Sequence, residues 1–331
     1  MQERLLSPRT IEFGTRQLRF ICQHNPRGIT DGWRLKSEEN KYRQDNLDDV
    51  AVLQADFDAL QGTQRQMPII GFEEGMHNWM KLVEVFTHRF VTMSRDRILA
   101  ISGIAERYGR VFGDQYCAGI WRSTFAKALF WEPAGELHPR PQIWQGPSWS
   151  WTSINGPVRF TLDSVSDEDE LPIVAIDIEL ANPANPYGEL LEGSGHLTLK
   201  ARTLMALLTF VEDKAFGPEV FAKGVMMRRN ITTFTIRVSY DALDPTDEER
   251  DANNVVLIEL SSKCGDHNWS CRGMVVRLVT EDIYTRVETF EYKTDGTNRR
   301  KDDESLEQWQ QRVFRELSWF SGECAKVIDI I

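Results

Sequence analysis

The apolar residues of this chain change their spacing once, near Pro139-Arg140-Pro141, and that change restricts the fold more than any other feature. Upstream, apolar side chains recur at intervals of three and four: Val50, Leu53, Phe57 and Leu60, ended by Gly62; then Trp79, Leu82, Val83 and Phe86; then Ile98, Ile101, Ile104, Ala105 and Tyr108. An α-helix turns once in about 3.6 residues, so each series lines one face and predicts a helix with a buried side. Downstream, the period becomes two. Phe234, Ile236 and Val238 alternate with Thr233, Thr235 and Arg237, the pattern of a strand with one face in the core. Segments 197–204, 255–260, 274–279 and 284–292 read as further strands, punctuated by Gly, Asn and Asp. The expected fold is α+β. A mainly helical lobe (1–140) packs on an antiparallel β-barrel or sandwich lobe (141–331), without internal repeats.

Local signals refine this outline. Phe13, Leu18, Phe20 and Ile21 suggest one short strand before a turn at Asn25-Pro26-Arg27-Gly28. The acidic stretch Asp163 to Glu170 and the segment Asp241 to Asn254 carry charge without periodicity and read as exposed loops. Asp96-Arg97 reads as a helix N-cap beside a surface charge, and Tyr187, in Asn185-Pro186-Tyr187-Gly188, as part of a turn. Ser305-Leu306-Glu307-Gln308 has the form of a capping box, so a C-terminal helix should begin there and bury Leu306, Trp309, Val313, Phe314 and Leu317.

Several function classes are disfavoured. No run reaches the roughly eighteen apolar residues of a membrane span, and the first residues lack the apolar stretch of a secretory signal. A cytoplasmic location is expected. A formal net charge of −11 argues against nucleic acid as partner. Five scattered cysteines (Cys22, Cys117, Cys264, Cys271 and Cys324) are expected to be reduced thiols. Cys264 to Cys271 contains two thiols and His267, but the spacing fits no structural zinc pattern and its Gly, Asp and Asn read first as a hairpin turn. No Gly-x-Ser-x-Gly elbow, phosphate-binding glycine loop or metal motif is present, so neither a cofactor nor a metal is expected.

Four segments together resemble the C-terminal half of the fungal heterokaryon-incompatibility (HET) family. They are Leu5 to Gly14; Trp79-x-x-Leu82-Val83-Glu84-x-Phe86-Thr87-x-Arg89 with Asp96 to Ala105; Tyr116-x-Ala118-Gly119-Ile120-Trp121 with Pro147 to Ser153; and Pro186-Tyr187-Gly188 with Gly195-x-Leu197-Thr198-Leu199. The resemblance implies a helical stretch followed by a β-rich tail. The family's N-terminal HET domain, related to TIR domains, is absent apart from its last residues, so its signalling or nucleotide-cleaving chemistry does not carry over. Met1 favours a stand-alone relative over a piece of a longer protein.

Trp121, Phe125, Phe130, Trp131, Trp144, Trp149, Trp151 and Phe160 crowd the boundary. Such rings can line a pocket for a large apolar ligand, and they can equally glue one lobe to the other. Two functions remain open. One is a cofactor-independent cyclase of fungal secondary metabolism, for example a hetero-Diels–Alderase acting on a polyketide or terpenoid intermediate. Trp121, Trp149 and Trp151 would then be walls for a hydrophobic small-molecule substrate, and His196, Arg202 and Tyr187 the polar groups. The other is a recognition or regulatory module that contacts another protein. Whether the chain is a monomer or a homo-oligomer is left open.

Overall fold

The computed structural model describes residues 9–13, 18–22, 25–30, 72–89, 91, 94–161, 173–211, 220–226, 233–242, 254–264, 269–293, 304–317, 320 and 323–331. Three antiparallel strands come first: β1 (Arg9–Phe13), β2 (Leu18–Cys22) and β3 (Asn25–Thr30). One strand was expected here. The turn expected over Asn25 to Gly28 is corrected: these residues belong to β3, with Asn25 the register partner of Cys22. Pro26 fits a strand because β3 is the outer member of the three, where a missing N–H costs no ladder bond. The Val50 to Leu60 series lies outside the described residues.

Helix α1 (Phe72–Thr87) buries Met76, Trp79, Met80, Leu82, Val83 and Phe86, the face its spacing predicts. Helix α2 (Leu99–Phe112) buries Ile101, Ile104, Ala105 and Tyr108 and ends at Gly113, whose left-handed φ of 64° lets its N–H reach Gly109 O. A two-residue turn, Ala118-Gly119, joins β4 (Tyr116–Cys117) to β5 (Ile120–Trp121). Both turn residues have positive φ, 50° and 94°, as a tight hairpin requires. After the short α3 (Phe125–Ala128), β6 (Trp131–Pro133) pairs with β7 (Val158–Phe160), joining segments on either side of Pro139 and Pro141. Helix α1 holds β7 directly: Val158 N–H donates to Thr87 Oγ1 at 3.0 Å and Phe160 N–H to Glu84 Oε1 at 2.7 Å.

The remaining strands are β8 (Ile173–Asp177), β9 (His196–Val211), β10 (Val220–Met226), β11 (Thr233–Tyr240), β12 (Asn254–Cys264), β13 (Trp269–Thr280), β14 (Ile283–Lys293) and β15 (Ala325–Ile330). They form an eight-stranded sheet of order β10-β11-β14-β13-β12-β9-β15, with β8 also on β9 and β10 also pairing with β9. All five predicted strands fall inside it. The sheet is antiparallel except at β14 and β15, which run parallel over Ile283↔Asp329 and Tyr284↔Ile330. The hairpin expected between Cys264 and Cys271 joins β12 to β13, with Cys264 opposite Trp269. Helix α4 (Leu306–Leu317) starts at the capping box: Ser305 N–H donates to Gln308 Oε1 at 3.0 Å and Gln308 N–H to Ser305 Oγ at 3.1 Å.

Strand β9 serves two cores. Leu197, Leu199 and Ala201 are buried in its first half, Leu204 and Ala206 in its second. Side chains alternate along a strand, so this change from odd to even means that the buried face switches. The first set joins the cluster that holds the helices, Trp149 and Trp151; the second lies outside that cluster, as do the buried Val255, Leu257, Val275 and Phe290.

The two halves meet around a buried ion pair. Arg286 of β14 is fully buried, and its Nε and Nη2 donate to Asp241 Oδ2 and Oδ1 at 2.9 and 3.1 Å. Its Nη1 donates to Leu129 O at 2.8 Å and Nη2 to Trp131 O at 2.7 Å, and the guanidinium carbon lies 3.8 Å from the Trp131 ring centroid. Burial pushes the Asp241 carboxyl up and the Arg286 guanidinium down, while each partner pulls the other back toward its charged form. The reading of Asp241 as part of an exposed loop is corrected here. Local sequence could not reveal a partner 45 residues away.

Asp241→Ala should lower folding stability by about 3–5 kcal/mol, because it leaves a buried guanidinium without its counter-charge. Urea denaturation followed by circular dichroism reads this, and an unchanged midpoint would show that Arg286 is compensated by its carbonyl partners alone.

Candidate functional site

The turn Ala118-Gly119 places two carbonyl oxygens at the centre of the aromatic region. Trp79 Nε1 and Trp151 Nε1 both donate to Gly119 O, at 3.2 and 3.0 Å, and Ser150 Oγ donates to Ala118 O at 2.5 Å. A Cβ on Gly119 would lie 2.6 Å from Trp151 Nε1, so glycine is needed there for contact as well as for φ. Trp149 points elsewhere: its Nε1 donates to Gly195 O at 2.8 Å and its ring packs 5.2 Å from Phe125. Ser148 Oγ donates to Ile331 O and accepts from Arg286 N–H. Ser148, Ser150, Thr152 and Ser153 are thus bonded to one another, and the two indoles of the segment are satisfied by backbone carbonyls of Gly195 and Gly119.

A different part of the cluster is not satisfied. Tyr116 and Trp121 are cross-strand partners on β4 and β5, with ring centroids 5.0 Å apart. Trp79 packs edge-on against both, at 5.8 and 5.5 Å, and Tyr187 lies 5.7 Å from Tyr116 and 6.4 Å from Trp121. Trp121 is fully buried, yet its Nε1 has no hydrogen-bond partner; neither does the buried Tyr116 Oη. Burial, with Cys117 adjacent, pushes the Tyr116 phenol well above its ordinary range, so it stays a neutral O–H donor. Tyr187 closes the outer side, half-buried and resting on α2, where a Cβ on Gly109 would come within 2.1 Å of its hydroxyl. Two polar hydrogens among aromatic faces can orient one oxygen of an apolar ligand, and an aqueous surrounding would weaken both bonds.

The residues singled out in sequence therefore divide. Trp121 and Tyr187 meet, together with Tyr116, whereas Trp149 and Trp151 are held by other partners. His196 opens β9 opposite Asp177, and Arg202, six residues on, is ion-paired with the buried Glu259. At strand spacing His196 and Arg202 are separated by about 20 Å, so one small ligand does not contact both. Sequence reasoning did not select Tyr116. The signal was present in Tyr116-x-Ala-Gly-x-Trp121, since a two-residue turn makes residues five apart direct partners. Among the described residues no group of three His, Cys, Asp or Glu side chains is placed to hold a metal, and no helix is long and apolar enough to cross a membrane.

Replacing each indole with phenyl separates the two classes of tryptophan. Trp149→Phe leaves Gly195 O without its donor, whereas Trp121→Phe removes a donor that has no partner. The first should cost about 1 kcal/mol more than the second in chemical denaturation; equal losses would mean that Trp121 Nε1 is bonded in solution. Compared with known proteins, the chain matches no family model, no curated protein and no solved structure.

Proposed function

We propose that the chain is a cofactor-independent cyclase that folds a hydrophobic polyketide or terpenoid intermediate into a ring against the Tyr116, Trp121 and Tyr187 faces. The observation that carries this reading is the pair of buried donors, Tyr116 Oη–H and Trp121 Nε1–H, without partners inside an aromatic surround. Folded chains satisfy nearly all such groups, and sites that await a ligand oxygen are one reason for exceptions. In a hetero-Diels–Alder step between a quinone-methide-like heterodiene and an alkene, negative charge grows on the heterodiene oxygen. Donors already aimed at that oxygen lower the barrier without reorganising, and the ring faces hold the hydrocarbon parts in contact. We also read the additional β10–β9 pairing as closing β9, β12, β13, β14, β11 and β10 into a barrel, a stiff base without free edges on which the aromatic region rests.

The second reading, a recognition module, is favoured by two other observations. The joint at Trp149 and Trp151 is filled and bonded, and Val174 of β8 and Val327 of β15, on the strands flanking β9, are 55% and 59% exposed.

Comparative mass spectrometry of metabolites from the source organism, with and without the gene, decides between them. The cyclase reading expects one cyclised product to disappear while its uncyclised precursor or water adduct accumulates. Complementation with Tyr116→Phe or Trp121→Phe should then restore conversion about a hundredfold less well than the unaltered gene. Matching profiles, together with a changed partner-protein complex, would favour the module.

A further inference from the structure

Arg97 closes the 3-10 turn Ser94–Arg97, where sequence suggested a surface charge. The structure corrects this: Arg97 is only 6% exposed. Its Nη2 donates to Gly156 O, its guanidinium carbon lies 5.5 Å from the Trp151 ring centroid, and its Nε–H has no partner. Among the described residues the other two buried arginines each face a carboxylate, Arg286 with Asp241 and Arg272 with Glu291. Arg97 is paired with none among the described residues, and its pKa is lowered to about 10 by burial alone. A buried cation with an unclaimed donor calls for an anion. The carbonyl partner of Arg97, Gly156, lies against the exposed His138. Gly156 has a left-handed φ of 88°, and a Cβ there would lie 2.5 Å from Cδ2 of the exposed His138 ring, so only a residue without a side chain lets His138 sit this close.

We propose that Arg97, backed by the Trp151 face and bonded to the carbonyl of Gly156 beside the exposed His138, is a binding site for the carboxylate of an organic monoacid. The guanidinium fork matches a planar carboxylate. A monoanion suits the place better than a phosphate, because one guanidinium against an indole would leave part of a dianion's charge uncompensated in a poorly hydrated site. The proposal does not depend on the cyclase reading, since its test reads binding and not turnover.

The probe is benzoate, titrated into the purified protein while indole fluorescence and thermal unfolding are followed, with benzamide as the uncharged isostere and inorganic phosphate as the competing anion class. We expect a saturable response to benzoate and a rise in melting temperature, little response to benzamide, and weaker binding of phosphate. Arg97→Met and Arg97→Gln should weaken benzoate about tenfold or more, and Arg97→Lys, which keeps the charge but loses the fork, by an intermediate factor. The idea is overturned by a wild-type protein that gives no saturable response, by an equal response to benzamide, by tighter binding of phosphate, or by a folded Arg97→Met protein that binds benzoate as well as wild type. Should both neutral variants fail to fold, the comparison of benzoate with benzamide and phosphate on the wild-type protein, together with Arg97→Lys, decides.

Discussion

The rest of the structure depends on a salt bridge that water never reaches. Arg286 belongs to the sheet, Asp241 follows another strand of it, and the guanidinium also donates to Leu129 O, just after α3, and to Trp131 O, at the start of β6. Taking such a pair out of water is costly, and the attraction recovers that cost only where every donor finds an acceptor. This geometry therefore admits one arrangement of the two halves. Ser148 Oγ accepts from Arg286 N–H and Arg140 Nη2 donates to Arg286 O, so the backbone carbonyl of this residue is also held from across the boundary.

The aromatic region follows from a second constraint, a tight turn whose carbonyls collect donors. Gly119 O receives two indoles, and Ala118 O receives Ser150. Rings fixed by such bonds behave as framework. By the same criterion Tyr116 and Trp121, equally surrounded by rings but unbonded at their polar atoms, stand apart. Polar satisfaction sorts these residues better than aromatic content, because stacking looks alike in a core and in a binding site, whereas an orphaned donor costs energy in a core.

What the sequence made legible was whatever depends on short-range periodicity. Helices α1 and α2, the capping box at Ser305 and the strands β9, β11, β12, β13 and β14 all bury or pair as their spacing implies, since a regular element needs only its neighbours to declare its faces. Three features were not legible for a common reason. Asp241 looked solvated because its partner is distant in sequence; Arg97 looked like a surface charge because nothing nearby signals the indole above it; and β3 looked like a turn because Pro26 and Gly28 carry turn statistics that an outer strand tolerates. The aromatic crowding around residue 121 was legible as a cluster. Its division into bonded and unbonded members was not, since that depends on where carbonyls from other elements arrive.

The switch of face within β9 has a consequence for how the molecule comes apart. A strand whose one half belongs to the core around the helices and whose other half belongs to a second core cannot release either without losing its own hydrogen-bonded ladder. The boundary that the prolines announce in sequence is thus no seam in the folded chain. Heat or denaturant meets a single cooperative body there, in which loosening the helices also frays the middle of the sheet.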